Sequence, residues 1–467
     1  MRRAALGLTL ALAACDSEGP AVDAGAPPDG GALGAEAALD PALCQDCHPD
    51  HYRQWSGSMH AYASEDPVFR ALEAKGQRET GGALGDFCVQ CHAPVAHRLG
   101  RVSRGADLDG LPAHLKGITC AWCHQIEAVH GDRNNPLAWA NDGVMRGGIA
   151  DPSPTSPHRS AYSPLLDRDT ETESSALCGA CHDIGLPHNG LPLEKTWAEW
   201  QGSLFSDPDR LRFNSCGHCH MKGRDGQAAL DGPPRRVHDH AMVGVDVALT
   251  EWPERADQRQ RIQRALDTTL VVEICVVERR GGAEVEYYLE NIGAGHHFPS
   301  GAALDRRAWV ELEAVAEGGA TVHTSGRVGD GEPVVASTDP DLWLLRDVAF
   351  DAQGQPTHAF WAIEAVERQT LPVVAALNPL EPGYVNPHIL HRYVVVSPAP
   401  LERIDTRVHL RPMGLDVLDE VIASGDLDPA FRARMPTFTF APLVWTRAAA
   451  EPRLSPLGRE ALCVPRP

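Results

Sequence analysis

The sequence lacks an excess of positive charge, and it lacks long apolar runs. Its 467 residues include 42 Lys and Arg against 63 Asp and Glu, which gives a formal net charge of -21 at pH 7. This balance argues against a nucleic-acid partner, because phosphate backbones are bound by clusters of Lys and Arg. After the first fourteen residues, no segment is long and apolar enough to cross a bilayer as a helix. What the chain does have is thirteen cysteines and 22 histidines.

Residues 1–15 have the pattern of an export signal. Two arginines precede an apolar stretch from Ala4 to Ala14, and Cys15 follows directly. This order resembles a bacterial lipoprotein signal, in which the cysteine becomes the first residue and carries lipid; an ordinary secretory signal is the alternative. We therefore predict an exported protein, in the periplasm or at the cell surface, that is anchored to a membrane through Cys15. Residues 16–40 are mostly Ala, Gly, Pro and acidic residues, which predicts a flexible linker.

One spacing recurs five times: two cysteines three apart, with a histidine directly after the second. The Cys and His content of the chain would give about 0.02 copies by chance. In a helical turn the two thiols lie on one face and can reach the two vinyl groups of one porphyrin, and the histidine then projects beneath the iron. The pattern therefore predicts five covalently attached haems c. The attachment residues are Cys44, Cys47, Cys88, Cys91, Cys120, Cys123, Cys178, Cys181, Cys216 and Cys219. The proximal iron ligands are His48, His92, His124, His182 and His220.

Zinc and disulfides are the alternative uses of these cysteine pairs. Zinc sites combine two C-x-x-C pairs, so an odd number of pairs, each followed by a histidine, does not fit them. A disulfide between cysteines three apart would be strained and would leave the histidine unexplained. Two further cysteines, Cys275 and Cys463, form either one disulfide or two buried thiols, and the sequence does not distinguish these possibilities.

The supply of histidines bears on the sixth position of each iron. Between Cys44 and His240 the chain has fifteen histidines, so ten remain after the proximal ligands. A second histidine suits an iron to electron transfer, whereas an open position makes it reactive. His60 lies on a predicted helix, from which it can reach a haem other than that of His48. His51 is only three residues from His48, so we predict that it bonds a haem propionate or the backbone.

The segment after the first motif is echoed after the fourth. The letters WSGS begin at Trp55 and the letters WQGS begin at Trp200, and each leads to another cysteine-histidine motif. This echo predicts a repeated unit of haem, helix and haem. Two residues after the last serine, the first unit has His60 and the second has Phe205, so we predict that the two units ligate iron differently.

The residues from Trp55 to Ala61 form the pattern W-x-x-S-x-H-A. It resembles the segment after the first haem in multihaem c-type cytochromes of the hydroxylamine-pathway tetrahaem group. The stretches FCVQCHAPVA, GITCAWCHQI, LCGACHDI, TWAEWQGS and CGHCHM also resemble this family, and the resemblance covers residues 42–246. Five motifs in place of four mean that the family's haem pairing is not implied. The distal ligands that the resemblance implies are His60, His158 and His240.

After about residue 265 the chain changes to short runs of β-branched and aromatic residues. In AEVEYYLEN, every second residue from Val285 to Leu289 is apolar, which is a period of two, and ERRGGAE is typical of a hairpin turn. These signals predict a β-sandwich over residues 265–467. The fold class we expect is multidomain, with a mostly α-helix and loop haem module over residues 41–246 followed by the all-β sandwich.

One stretch of this second half is a further candidate. The segment NIGAGHHFPSGAALDRR, residues 291–307, resembles a Gly-rich segment of β-domains that follow some multihaem cytochrome modules. The interpretation we favour is a turn in which His296 bonds the backbone. The alternative is that His296 ligates or bonds a haem at the domain interface.

Together these features predict electron transfer by an exported five-haem c-type cytochrome with mostly bis-histidine haems. Its partners would be other cytochromes or quinol-linked complexes, and the β-domain would serve docking or scaffolding. The main alternative is a multihaem reductase of a small nitrogen or sulfur oxyanion at one open haem. A third is a receptor-like β-domain whose haems are structural. We favour the carrier because ten spare histidines suffice and because no motif reads C-x-x-C-K, the mark of the catalytic haem in a related nitrite reductase family. A carrier should not bind carbon monoxide when reduced.

Overall fold

The structure is a computed structural model. It describes residues 34–464 except 153–155, 172, 210–212, 377, 379 and 381–387. The signal peptide and the lipidation predicted at Cys15 lie outside the described residues, as does most of the predicted linker. Within the described part, no helix is both long enough and apolar enough to cross a membrane.

Short helices carry the second to fifth motifs and many of the segments between them, and the first motif lies in a turn between a 3-10 helix (Pro41–Cys44) and the first α-helix. Polar side chains start several of these helices: the Asp66 carboxylate accepts from the Val68 amide at 2.9 Å, and Pro67 follows as the first helical residue. The helices of this half are α1 (Pro49–Ser56), α2 (Met59–Tyr62), α3 (Pro67–Glu79), α4 (Val89–His92), α5 (Pro94–Arg98), α6 (Cys120–His124), α7 (Glu173–His182), α8 (Thr196–Gln201) and α9 (Cys216–His220).

Two-stranded ribbons also occur between the motifs, and the sequence did not predict them. They pair short segments, so that the backbone groups of these segments are satisfied locally. The antiparallel ribbons are β1 (Ile126–Val129) with β2 (Leu137–Trp139), β5 (Asp183–Gly185) with β6 (Pro192–Lys195), and β7 (Gly223–Gln227) with β8 (Pro234–His238). The parallel pair is β3 (Val144–Gly147) with β4 (Arg159–Tyr162).

The second half follows α10 (Arg255–Leu266) and is a β-sandwich, as predicted. One sheet has the order β16-β10-β9-β21-β20, formed by β9 (Leu270–Arg279), β10 (Gly282–Asn291), β16 (His388–Val396), β20 (Glu451–Leu454) and β21 (Glu460–Cys463). The other has the order β12-β11-β17-β18, with β13 on β11 and β19 on β17. Its strands are β11 (Arg307–Ala316), β12 (Thr321–Ser325), β13 (Trp343–Leu345), β17 (Leu401–Arg411), β18 (Phe438–Thr439) and β19 (Leu443–Thr446). A separate ribbon pairs β14 (Asp347–Phe350) with β15 (Ala365–Arg368), and α11 (Leu415–Ala423) completes the half.

The period of two places alternate residues of β10 on opposite faces. Val285, Tyr287 and Leu289 point into the core between the sheets, where they are fully buried. Tyr288 points the other way, beside the disulfide that joins Cys275 of β9 to Cys463 of β21. The two strands are paired directly at these residues, so of the two possibilities that the sequence left open the structure has the disulfide.

Apolar clusters join the haem-motif half to the sandwich half. Val68 and Ala71 of α3 pack against Leu415 and Leu418 of α11 in one cluster. A second cluster contains Leu186 and Leu193 from the β5–β6 region together with Leu304, Ala349 and Ile363 from the other half. Because buried apolar area is the main source of association, these contacts fix the loop after β10 against the haem-motif half. The predicted domain boundaries stay predictions.

Candidate functional site

Each motif histidine follows its cysteines within one helical turn. The amide of His48 donates to the carbonyl of Cys44 at 2.7 Å, and the amide of His92 donates to that of Cys88 at 3.2 Å. The third, fourth and fifth motifs lie in α6, α7 and α9. This winding puts the two thiols and the imidazole of a motif on one side of the turn, as attachment to one porphyrin requires.

Four of the five motif histidines form hydrogen bonds to backbone carbonyls through Nδ1. The Nδ1 atoms of His48, His92, His124 and His220 lie 2.5, 2.9, 2.6 and 2.7 Å from carbonyl oxygens of Ala228, Ala63, Arg146 and Val243 respectively. A carbonyl only accepts, so each Nδ1 carries the proton and each Nε2 has a free lone pair. Outer hydrogen bonds of this kind orient histidines that ligate metals.

A second imidazole stands opposite four of the motif histidines. The ring centroids are separated by 6.2 Å for His48 and His158, 6.3 Å for His124 and His240, 6.1 Å for His182 and His60, and 6.4 Å for His220 and His296. Two metal–imidazole bonds of about 2.0 Å, added to the two half-rings, require a separation of about 6.3 Å. The pairs therefore fit an iron held between two imidazoles.

The protonation of these imidazoles also suits a metal. Burial, with a smaller effect of neighbouring histidines, lowers the pKa of His60 to about 3. Burial likewise lowers the pKa of His124 and of His296 to about 4. All three rings are therefore neutral at physiological pH, which is the form that ligates metals.

His92 differs from the other motif histidines. Among the residues that the structure describes, no second imidazole stands opposite it. The Phe69 ring instead lies flat on one face of the imidazole, with centroids 3.8 Å apart and planes 2° from parallel. The stacked Phe69 ring and the hydrogen bond to Ala63 fix the plane of the His92 imidazole. Neither contact occupies the space in front of Nε2, where an iron and its sixth ligand would lie.

His51 shares an acceptor with His48, since both imidazoles bond the carbonyl of Ala228. Two rings directed at one oxygen cannot sandwich a metal, although their centroids are 6.0 Å apart. The His51 ring also stands edge-on to His240, with centroids 4.6 Å apart. The prediction that His51 bonds the backbone agrees with this position.

The thiols of different motifs meet in pairs. Hydrogen-bond contacts join Cys44 of the first motif to Cys120 of the third, Cys178 of the fourth to Cys216 of the fifth, and Cys91 of the second to Cys181 of the fourth. These contacts form two groups, the first motif with the third and the fourth with the second and fifth, and an electrostatic interaction of Cys123 with Cys178 links the groups.

The echo around Trp55 and Trp200 is a structural repeat. The Trp55 indole donates to the carbonyl of Ile118 at 2.8 Å, and the Trp200 indole donates to that of Asn214 at 2.9 Å. Each acceptor lies two residues before a motif, the third motif for Ile118 and the fifth for Asn214, so both units have the same local architecture.

The repeat makes His60 and Phe205 structural counterparts. The carbonyl of His60 accepts from the Ile118 amide at 2.9 Å, and the carbonyl of Phe205 accepts from the Asn214 amide at 2.9 Å. Gly117, with φ of 68°, allows the close crossing in the first unit, because a Cβ there would lie 2.7 Å from the His60 oxygen.

Charged groups lie close to the His182 pair. Arg306 binds Asp246 through both terminal nitrogens, at 2.9 and 3.0 Å. Burial raises the pKa of the neighbouring Glu194 to about 7, and the Arg306 guanidinium opposes this shift. Since Arg306 and Asp246 both act electrostatically on His182, they are placed to tune the redox potential of an iron bound there.

Residues 43–125 match the family model described as cytochrome c554 and c-prime. The matched segment contains the first three C-x-x-C-H motifs. Its fold is similar to the crystal structure of a penta-heme cytochrome c552 from Thermochromatium tepidum, with a TM-score of 0.61 and 19% sequence identity over 89% of this chain and 100% of that chain. No curated protein sequence is a significant match. The family match supports the predictions of covalently bound haem c and of electron transfer.

The structure places the predicted histidines in pairs that the sequence did not assign. His158 and His240, which only the resemblance implied, each stand opposite a motif histidine, and so does His60, which its predicted helix also indicated. His296 is the residue for which sequence reasoning favoured a backbone role alone; it has that bond, to the His297 carbonyl at 2.8 Å, and it also faces His220. The sequence feature that indicates His296 is the Gly-rich segment that carries it.

Proposed function

We propose that this cytochrome carries five haems and passes electrons along them. The observation that carries the proposal is the spacing of facing imidazoles, which suits six-coordinate irons. Such irons keep their ligands in both oxidation states, so electron transfer needs little rearrangement. We assign His158 to the first haem, His240 to the third and His60 to the fourth as distal ligands.

The thiol contacts define the order of the haems. A thioether at each cysteine would hold a porphyrin edge, so contacting cysteines bring the edges of two haems together. The first haem meets the third, and the fourth meets both the second and the fifth. Cys123 of the third motif acts electrostatically on Cys178 of the fourth, which joins the two groups. The resulting path branches at the fourth haem.

The ends of this path are the places where redox partners would dock. Cys47 of the first motif and Cys219 of the fifth are exposed, whereas the other motif cysteines are partly covered. Electrons would therefore enter and leave through the first and fifth haems. The formal net charge of -21 favours partners with basic docking surfaces.

A second candidate function is reduction of a small nitrogen or sulfur oxyanion at the second haem. The observation that favours it is the absence, within the described residues, of an imidazole opposite His92. An iron with one open position can bind a substrate, and its neighbour at the fourth motif would supply electrons.

The haem count tests the main proposal. Maturation of the full chain should add five haem masses to the polypeptide, with one haem on each of the five C-x-x-C-H peptides after proteolysis. Intact-mass and peptide-mass spectrometry measure this directly. A matured sample with four or fewer haems would contradict the proposal and would identify the motif that carries none.

We further propose export and a lipid anchor at Cys15. Replacement Cys15→Ser removes the acceptor sulfur and should move the cytochrome from the membrane fraction to the soluble fraction, because firm anchoring needs the several acyl chains of a lipoprotein cysteine. Cys275→Ser, which removes a cysteine far from the signal, is the matched control and should stay with membranes. A Cys15→Ser protein that still sediments with membranes would refute the anchor.

A further inference from the structure

We propose that His296, on the loop between β10 and β11, is the sixth ligand of the haem on the fifth motif. The sandwich domain would then complete a haem site of the other half of the molecule. This inference rests on the proposed function, since it requires a haem on Cys216 and Cys219.

The pairing of His220 with His296 has the geometry of the pairing of His124 with His240. Its centroid separation of 6.4 Å and interplanar angle of 14° are close to the 6.3 Å and 14° of His124 and His240. His220 bonds the carbonyl of Val243 through Nδ1, and His296 bonds that of His297 through Nδ1. Both rings therefore use Nδ1 for a carbonyl and turn Nε2, the atom that an iron between them needs, away from it.

The loop that carries His296 is held in place by its own side chains. Asn291, at the end of β10, donates to the carbonyl of His296 at 2.6 Å and accepts from the amide of Ala294 at 3.2 Å. Gly295 has a φ of 74°, which turns the chain between these two bonds. The loop is thus shaped before any cofactor is bound.

The haem-motif half also holds this loop. Glu199 of α8 accepts from the amide of His297 at 3.2 Å and from the Ser300 hydroxyl at 2.6 Å. The Ser300 oxygen lies 2.9 Å from that of Thr196, also on α8. Because α8 lies between the fourth and fifth motifs, these bonds fix His296 relative to the haem that it would ligate.

The repeat explains why the ligand comes from the second domain. The position of His60 in the first unit is occupied by Phe205 in the second. The Phe205 ring lies 3.7 Å from where a Cβ of Gly295 would be, so it packs against the His296 loop. At the position of His60, the second unit has the apolar side chain of Phe205, which packs against the loop that carries His296.

His297 is excluded as the ligand by its own contacts. Its Nδ1 lies 3.3 Å from the Thr370 hydroxyl and 3.6 Å from the Glu199 carboxylate. The ring is therefore engaged by Thr370 of the sandwich half and Glu199 of α8, and among the described residues no stacking of His297 with His220 occurs. It provides a control one residue away from the proposed ligand.

The test compares His296→Ala with His297→Ala in the full-length holoprotein. His296→Ala should keep five haems by mass, convert one haem from low spin to high spin by electron paramagnetic resonance, and bind one more carbon monoxide per reduced chain than the unsubstituted protein. Added imidazole should restore the low-spin signal, because it can occupy the space of the missing ring. His297→Ala should change none of these.

A second variant covers the case in which His296→Ala folds poorly. His296→Met offers a thioether ligand, and Met/His ligation raises the potential of a haem. One haem should therefore titrate at a higher potential while all five remain in place. Unchanged spin states in His296→Ala, or unchanged potentials in His296→Met, would overturn the assignment of His296. A wild-type chain with no haem on the Cys216–Cys219 peptide would instead overturn the proposed function, and the ligand assignment with it.

Discussion

Reduction of the cytochrome under carbon monoxide is expected to give one carbon monoxide adduct per chain. Four irons would be closed by two imidazoles each, and only the haem of His92 would have a free position on the side away from its ligand. Carbon monoxide needs such a position on a ferrous haem. A titration of the fully reduced protein, followed in the Soret region, should saturate at one equivalent.

This expectation replaces the one that the sequence favoured. From the sequence, the ten remaining histidines suffice to give every iron a sixth ligand, which would exclude carbon monoxide. In the structure, four other histidines stand opposite the histidines of the first, third, fourth and fifth motifs, namely His158, His240, His60 and His296. Among the described residues, the second motif instead has Phe69 stacked on its proximal histidine. No carbon monoxide binding would restore the pure carrier interpretation. Two or more equivalents would mean that in one of the imidazole pairs only one imidazole ligates the iron.

The same open position separates the two candidate functions. Nitrite or hydroxylamine added to the reduced protein should reoxidise it faster than a carbon monoxide-treated sample if the second haem is a reductase centre. The treated sample is the matched control, because its other four haems are unchanged. Equal rates in the two samples would leave electron transfer as the function and exclude reduction of those two substrates at this haem.

The sequence was most informative where chemistry fixes local spacing. Attachment of two thiols and one imidazole to a porphyrin requires residues i, i+3 and i+4, so the motifs were visible at Cys44, Cys120 and Cys216 without any structure. The alternation in β10 likewise predicted a strand with one face in a core. Both patterns are properties of a few consecutive residues.

The sequence was least informative about which distant residues meet. His60 faces His182 and not the histidine of its own first motif, and His296 comes from another domain. Such pairings depend on how the units fold onto each other, which no local pattern encodes. The disulfide between Cys275 and Cys463 was undetermined for the same reason, because the strands that carry the two cysteines are far apart in the chain.

Replacement His60→Ala is expected to convert the fourth haem from low spin to high spin while five haems remain attached. His60 is half-buried, it faces His182 at 6.1 Å, and its Nδ1 lies 2.8 Å from the Met242 sulfur, so its Nε2 is directed away from Met242. The fourth haem is the branch point of the proposed path. A change of its ligation should therefore slow electron delivery to the second and fifth haems as well.

His51→Ala is the matched control, since His51 lies beside two imidazole pairs but shares the Ala228 carbonyl with His48 and closes no iron. Electron paramagnetic resonance should report one new high-spin haem in His60→Ala and none in His51→Ala. The His60→Ala protein should also bind two equivalents of carbon monoxide when reduced, one at the second haem and one at the fourth. If the spectrum of the His60→Ala protein stays fully low-spin and its carbon monoxide stoichiometry stays at one, His60 is not an iron ligand. The position of His60 opposite His182 would then have another cause.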